Sequence, residues 1–245
     1  MGKKIIRVIA VVLIPVVCLY LLTLLLTPKY VNDIPEGSMI AEYYKSEKNN
    51  DVLILGDCEV YENISTVKMW EEYGITSYIR GSSEQLIWQS YYLLEDTLKH
   101  ETPKVVVLSM LAMSEADAKS EAYNRMTLDG MRWSKSKWNS IKESMTEKET
   151  MGSYIFPLLR YHSRWSELSS DDIKYMFNKP KVTSNGYLMQ VGVRPVTTVP
   201  KVSPLANYTF SDRNYEYLDK IKDLCNEKGI KLVLIKAPSI FPHWY

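Results

Sequence analysis

The chain has 245 residues, with 30 basic and 29 acidic side chains, a formal net charge of +1, three cysteines and three histidines. That balance argues against a nucleic-acid partner, whose phosphates call for a basic face. Three cysteines are too few for a disulfide framework, and no internal repeat or low-complexity tract breaks the sequence.

Val8 to Leu26 carries no charge, and about 20 apolar residues suffice to cross a bilayer core. Lys3, Lys4 and Arg7 precede the run while only Lys29 follows closely, which predicts a cytoplasmic N-terminus and an exterior remainder. The run is long for the core of a cleaved signal peptide, and Leu24 to Tyr30 offers no small-x-small site. Residues 1–32 therefore read as a cytoplasmic tip and an uncleaved single-pass signal anchor. Setting aside Lys3, Lys4, Arg7 and Lys29 leaves 26 basic against 29 acidic side chains outside. Residues 33–50 are polar, carry Pro35 and Gly37, and read as a stalk with a short helix from Met39 to Lys48.

The domain begins at residue 51. The apolar run Val52 to Leu55 predicts a buried parallel strand that stops at Gly56-Asp57-Cys58. A glycine allows a tight turn, and an acidic neighbour accepts turn N–H groups. Asn63, Ser65 and Thr66 are cap-competent residues ahead of a helix around Val67 to Tyr73. Cys58 thus lies in a strand-to-helix connection, where α/β folds concentrate their sites. It is either a reactive thiol or a small packing cysteine.

Ile75 to Ile79 predicts a second strand, and Gly81-Ser82-Ser83-Glu84-Gln85 the start of a helix reaching Lys99. Free N–H groups at that start could line an oxyanion site beside Cys58, or Ser82 and Gln85 could form only a capping box. Residues 104–109 predict a third strand, Asp212 to Lys228 a helix closed by Gly229, and residues 231–236 a fourth strand. The alternation predicts a doubly wound parallel sheet. Cys225 falls on the apolar stripe of the late helix and reads as packing, and Cys18 lies inside the span.

A long insertion, residues 110–211, separates the third and fourth strands. Helices are expected over 134–145 and 153–168, and an extended course over 186–204. Such a connection at the C-terminal rim suits a lid or recognition element. Arg132-Trp133 and Arg160 to Trp165 group arginine with aromatics, as a sugar or anion surface would; amphipathic helices packing their aromatics give the same pattern.

Gly56-Asp57-Cys58, then Gly81 and Val105 to Leu108, resemble the first half of an SGNH/GDSL-type hydrolase domain, in particular the membrane-anchored bacterial members. The resemblance implies a flavodoxin-like, three-layer α/β domain over 51–245. It also implies that Cys58 stands at the nucleophile position, with its N–H and that of Gly81 holding an oxyanion. Asp57 completes the catalytic set, and Ser82, Ser83, Arg132 and Trp133 are the substrate-binding candidates. Three departures accompany it. Cysteine replaces serine, no asparagine follows the third strand (Asn124 is too far on), and the Asp-x-x-His block is missing. The last point predicts that the C-terminal part of the domain is absent. Of the histidines, His100 falls on the wrong rim, His162 lies in the insertion, and His243 follows the fourth strand on the right rim, so His243 is the candidate base. No metal-ligand spacing is present, and no cofactor is expected. The implied function is hydrolysis or transfer of acyl esters on a cell-envelope polysaccharide. The alternative is a non-catalytic glycan-binding or assembly module on the same fold.

Overall fold

The computed structural model describes residues 2–192 and 209–237. Its first element, α1 (Gly2–Leu26), contains the stretch Ile9–Leu26, with a mean hydropathy of 3.0 and only 6% of it buried. By length and composition this helix can cross a membrane. The stretch read as a stalk carries core residues instead. In α2 (Glu36–Glu42) and the 3-10 turn Tyr43–Lys45, the side chains of Met39, Ile40 and Tyr43 are fully buried.

β1 (Val52–Gly56) leads into α3 (Cys58–Tyr61) and α4 (Thr66–Tyr73), the latter capped by the Ser65 hydroxyl and closed by Gly74 at φ +64°. Next come β2 (Ser77–Gly81), α5 (Ile87–Thr97) and β3 (Val105–Ser109). The helical region holds α6 (Glu121–Leu128), α7 (Lys135–Ser144), α8 (Met151–Ile155), α9 (Leu158–Tyr161) and α10 (Ser170–Lys174). α11 (Asp212–Glu227) and β4 (Lys231–Ile235) follow. The predicted helix over 134–145 is present as α7, with Ser134 as its cap. The one over 153–168 is broken, because Pro157 cannot continue the ladder begun by α8.

The four strands form one parallel sheet in the order β2-β1-β3-β4. Among the described residues this is a mixed α/β fold with a long helical region, preceded by one apolar helix. Central β1 is buried along its whole length, as its unbroken apolar run requires. Val52, Ile54 and Ile79 pack with Met39, Val60, Tyr61 and Leu188. The outer edge of β2 is partly covered by the end of the helical region, where Ile79 N–H donates to Asn185 O at 3.0 Å. Gly186, at φ +83°, presses so closely on Ile79 O that a Cβ would lie 2.0 Å from it. The Glu42 carboxylate pins this segment by accepting Thr183 N–H (3.1 Å) and the Thr183 hydroxyl (2.5 Å). Covering an edge in this way removes a template for unwanted strand pairing.

By contacts the chain divides into two units, Met1–Pro35 with Glu149–Lys181, and Glu36–Lys148 with Val182–Tyr245. The sheet belongs to the second.

Candidate functional site at the strand ends

Gly56 ends β1 at φ +149°, where a Cβ would come within 2.6 Å of the Ser109 Cβ. It stands in register with Gly81, the last residue of β2. A Cβ on Gly81 would in turn meet Gly56 O at 2.8 Å. The two glycines therefore let adjacent strands end side by side with their turns in close approach. Asp57 is buried and caps α3, its Oδ1 accepting Glu59 N–H at 3.1 Å. Cys58, the first residue of α3, is exposed. The Tyr61 hydroxyl ties α3 to the β2–α5 turn through Ser83 Oγ at 2.9 Å.

The electrostatics disfavour a thiolate. Desolvation in the turn, then the carboxylates of Asp57, Glu62 and Glu84, push the Cys58 thiol up to about 12. Burial first, and the nearby Glu59 and Glu84 charges second, raise the Asp57 carboxyl to about 6. A thiol in this setting stays protonated at neutral pH and needs a base at the moment of attack.

The turn after β2 differs from its expected form. α5 begins at Ile87, and its cap is Leu86, whose N–H is accepted by Gln89 Oε1 at 3.1 Å. Ser82 is fully buried and engaged with Gln85 Oε1 (3.3 Å) and the Thr127 hydroxyl. Thr127, Gln89, Asn124, Ser144 and the Trp88 indole continue this buried network. Asn124 is thus structural, and the Ser82 hydroxyl faces protein partners. Ser83 is half-buried beside Tyr61.

A second group at the strand ends was not singled out from the sequence. Glu59, on α3, accepts the Ser109 hydroxyl at 3.2 Å and pairs with Lys236, which follows β4. The residues come from the ends of β1, β3 and β4, the rim where open parallel sheets bind ligands. The signal was available: each is a polar residue at or just past the end of a strand's apolar run.

Arg132 and Trp133 gather elsewhere. Arg132 N–H donates to Tyr44 OH at 3.1 Å, and its guanidinium lies 4.6 Å from that ring. Tyr44 OH bonds Asp96 at 2.6 Å, near the end of α5. α5 leaves the C-terminal rim after β2 and returns to deliver β3, so this end faces the strand N-termini. The structure brings Asp57, Cys58, Gly81 and Ser83 together and leaves Arg132 and Trp133 at the other end of α5. His100 is there too, its ring 5.9 Å from Tyr44. His162 belongs to the first unit, with Nδ1 3.2 Å from Leu158 O and from Leu159 O. His243 lies outside the described residues. Cys225 is buried in α11, and all three cysteines are free.

Among the described residues no group of three or more His, Cys, Asp or Glu side chains could hold a metal ion. A cavity of about 530 Å³ lies within the first unit, lined by Lys29, Tyr30, Arg160, Arg164 and Asp171 among others. It is a polar cleft beside the end of α1 and shares no residue with the strand-end group.

No protein-family model, curated protein or solved structure matches this chain.

Proposed function

We propose that the chain is a membrane-anchored protein of the SGNH/GDSL type whose sheet domain works outside the cytoplasm on acyl esters of an envelope polysaccharide. The parallel order β2-β1-β3-β4 supports a doubly wound, flavodoxin-like, three-layer reading of the domain. Lys3, Lys4 and Arg7, in the first turns of α1 ahead of its apolar stretch Ile9–Leu26, support the orientation.

The observation that carries the reading is the register of Gly56 with Gly81, which sets the exposed Cys58 beside the turn that follows β2. In the proposed reaction the Cys58 sulfur attacks the ester carbonyl, a base takes the thiol proton as the C–S bond forms, and the alkoxide leaves with a returned proton. Water or an acceptor hydroxyl then releases the acyl group. N–H groups of Cys58 and Gly81 stabilise the tetrahedral oxyanion.

One observation favours the second reading, a non-catalytic glycan-binding or assembly module. The thiol is pushed up to about 12, away from an activated nucleophile. The two readings separate on one experiment. Incubation of the full chain with an activated acetyl ester should leave an acetyl adduct on Cys58, detected by mass, and Cys58→Ala should abolish both adduct and ester turnover. Turnover unchanged in Cys58→Ala would remove Cys58 from the chemistry. No adduct and no turnover, with polysaccharide retained on the immobilised chain, would establish the module.

A further inference from the structure

The unit formed by Met1–Pro35 and Glu149–Lys181 leaves much of its apolar side-chain area on the outside. Beside the buried Leu26, Tyr154 and Tyr161 its interior also holds charge: Lys29 and Asp172 are buried, 3.8 Å apart. Its surface holds large apolar side chains, with Ile155, Phe156, Leu159, Trp165, Ile173 and Phe177 exposed by 41–75%. In water so short a segment would bury such groups, since each fully buried one contributes about 1.5–3 kcal/mol.

The same unit is fastened to the end of the apolar helix. Arg164 Nη1 donates to Leu26 O at 2.6 Å, and Lys29 Nζ donates to Leu24 O at 2.5 Å and Leu25 O at 3.2 Å. The last carbonyls of a helix have no partner within it, and at the margin of a bilayer water cannot be relied on to supply one. Here the protein supplies it with two cations, which also suit the negative end of the helix dipole. Leu26 itself is 1% exposed, so these short helices close around the point where α1 ends. Because α1 is exposed from Val11 to Leu21 and covered only in its last turn, its lipid-facing surface continues into the apolar side chains of this unit.

We infer that residues 149–181 form an interfacial collar, with Phe156, Leu159, Trp165 and Phe177 inserted among the lipids around the outer end of the transmembrane helix. The occupant of the apolar face is the bilayer surface, argued from its continuity with α1 and from the contacts of part-buried Arg164 and buried Lys29 with the end of α1, which fix its depth. Helices of this kind lie with their apolar face about 5–10 Å into the headgroup and acyl boundary. The inference concerns the first unit alone and stands whether or not the strand-end site is catalytic.

Nitroxide labels report it directly. In the full chain carrying Cys18→Ala and Cys58→Ala, labels would be placed singly through Phe156→Cys, Leu159→Cys and Phe177→Cys, with Tyr73→Cys as reference. Tyr73 is 72% exposed on α4 of the other unit. In vesicles of phosphatidylcholine and phosphatidylglycerol, the three collar labels should collide readily with oxygen and lose their collisions with a water-soluble nickel chelate, while Tyr73 shows the reverse. Collar labels as open to nickel as Tyr73 would overturn the inference, because the face would then lie in water. Exclusion of both relaxants from the collar would also overturn it, because protein would then cover the face.

Discussion

Glu59, in the first turn after β1, accepts the hydroxyl of Ser109 at the end of β3, with 3.2 Å between Oε2 and Oγ. Its other oxygen pairs with Lys236 beyond β4. One carboxylate thus joins the C-terminal ends of three strands. The glutamate side chain is largely buried and the lysine about one-third exposed, so the pair is partly shielded from screening by water and salt. Glu59→Gln should destabilise the protein by about 1–3 kcal/mol, as for other buried hydrogen bonds to a charged group. A double-mutant cycle with Lys236→Met, read by urea unfolding, should give a coupling of about 0.5–3 kcal/mol. Additive effects would show that the two charges do not act together.

Gly56, at the end of β1, differs from the open turn glycine Gly74 in a measurable way. A methyl group on Gly56 has nowhere to go, with the Ser109 Cβ at 2.6 Å and φ at +149°, whereas one on Gly74 meets nothing within 4 Å at φ +64°. Gly56→Ala should therefore cost about 3 kcal/mol or more, combining overpacking with backbone strain. Gly74→Ala should cost about 1–2 kcal/mol, the left-handed penalty alone. Equal losses in the two variants would mean that the rim does not need the close approach.

Much of this was legible from residue order. The apolar runs at 52–55 and 105–108 marked interior strands because a parallel strand with neighbours on both sides carries no polar alternation, whereas β4, at the sheet edge among the described residues, is only partly covered. Ser65 marked a helix start that the structure confirms through its hydroxyl, and Ser134 and Ser211 cap α7 and α11 in the same way. The turn after β2 was less legible. Ser82 has the chemistry of a cap, and only the distant Thr127 diverts it into a buried network. Arg80 is fully buried between Tyr43, Tyr44, Asp96 and Thr97, which no local pattern announces. The pairing of Glu59 with Lys236 spans 177 residues, so it follows from strand order and not from spacing.

The buried carboxyl of Asp57 gives the domain a pH signature. Its pKa rises from the ordinary 3.8 to about 6, chiefly by desolvation, so between these values the folded chain holds a proton that the unfolded chain has released. The contribution is therefore complete below about pH 4 and is lost as pH rises through about 6, a difference of about 3 kcal/mol. Asp57→Asn keeps an oxygen to accept Glu59 N–H but carries no charge to desolvate. It should be more stable than the parent at pH 7.5, by up to about 3 kcal/mol, and equal to it near pH 4. A variant less stable at both pH values would mean that the Asp57 carboxylate is held by favourable contacts that outweigh its burial.

The chemistry of Cys58 follows from the same acidic turn. With the thiol pushed up from the ordinary 9.0 to about 12, only about 10⁻⁴ of it is ionised at pH 8, against about a tenth at the ordinary value. A more basic thiolate is the better nucleophile, which returns part of that loss. The net expectation is alkylation by iodoacetamide about 40-fold slower than for a free thiol, with the rate rising tenfold per pH unit up to at least pH 10. Glu62→Gln with Glu84→Gln should lower the thiol pKa and speed alkylation at pH 8, since both carboxylates oppose the thiolate. Cys225, buried in α11, should react only after unfolding. The consequence for catalysis is specific. A nucleophile that is neutral at rest depends on a base at the moment of attack, as a serine hydroxyl does, so Cys58→Ser should keep a measurable share of the ester turnover. An enzyme working through a preformed thiolate would lose far more. Rapid alkylation at pH 7 that levels off below pH 8, together with an inactive Cys58→Ser, would show that a cation near Cys58 overrides Asp57, Glu62 and Glu84.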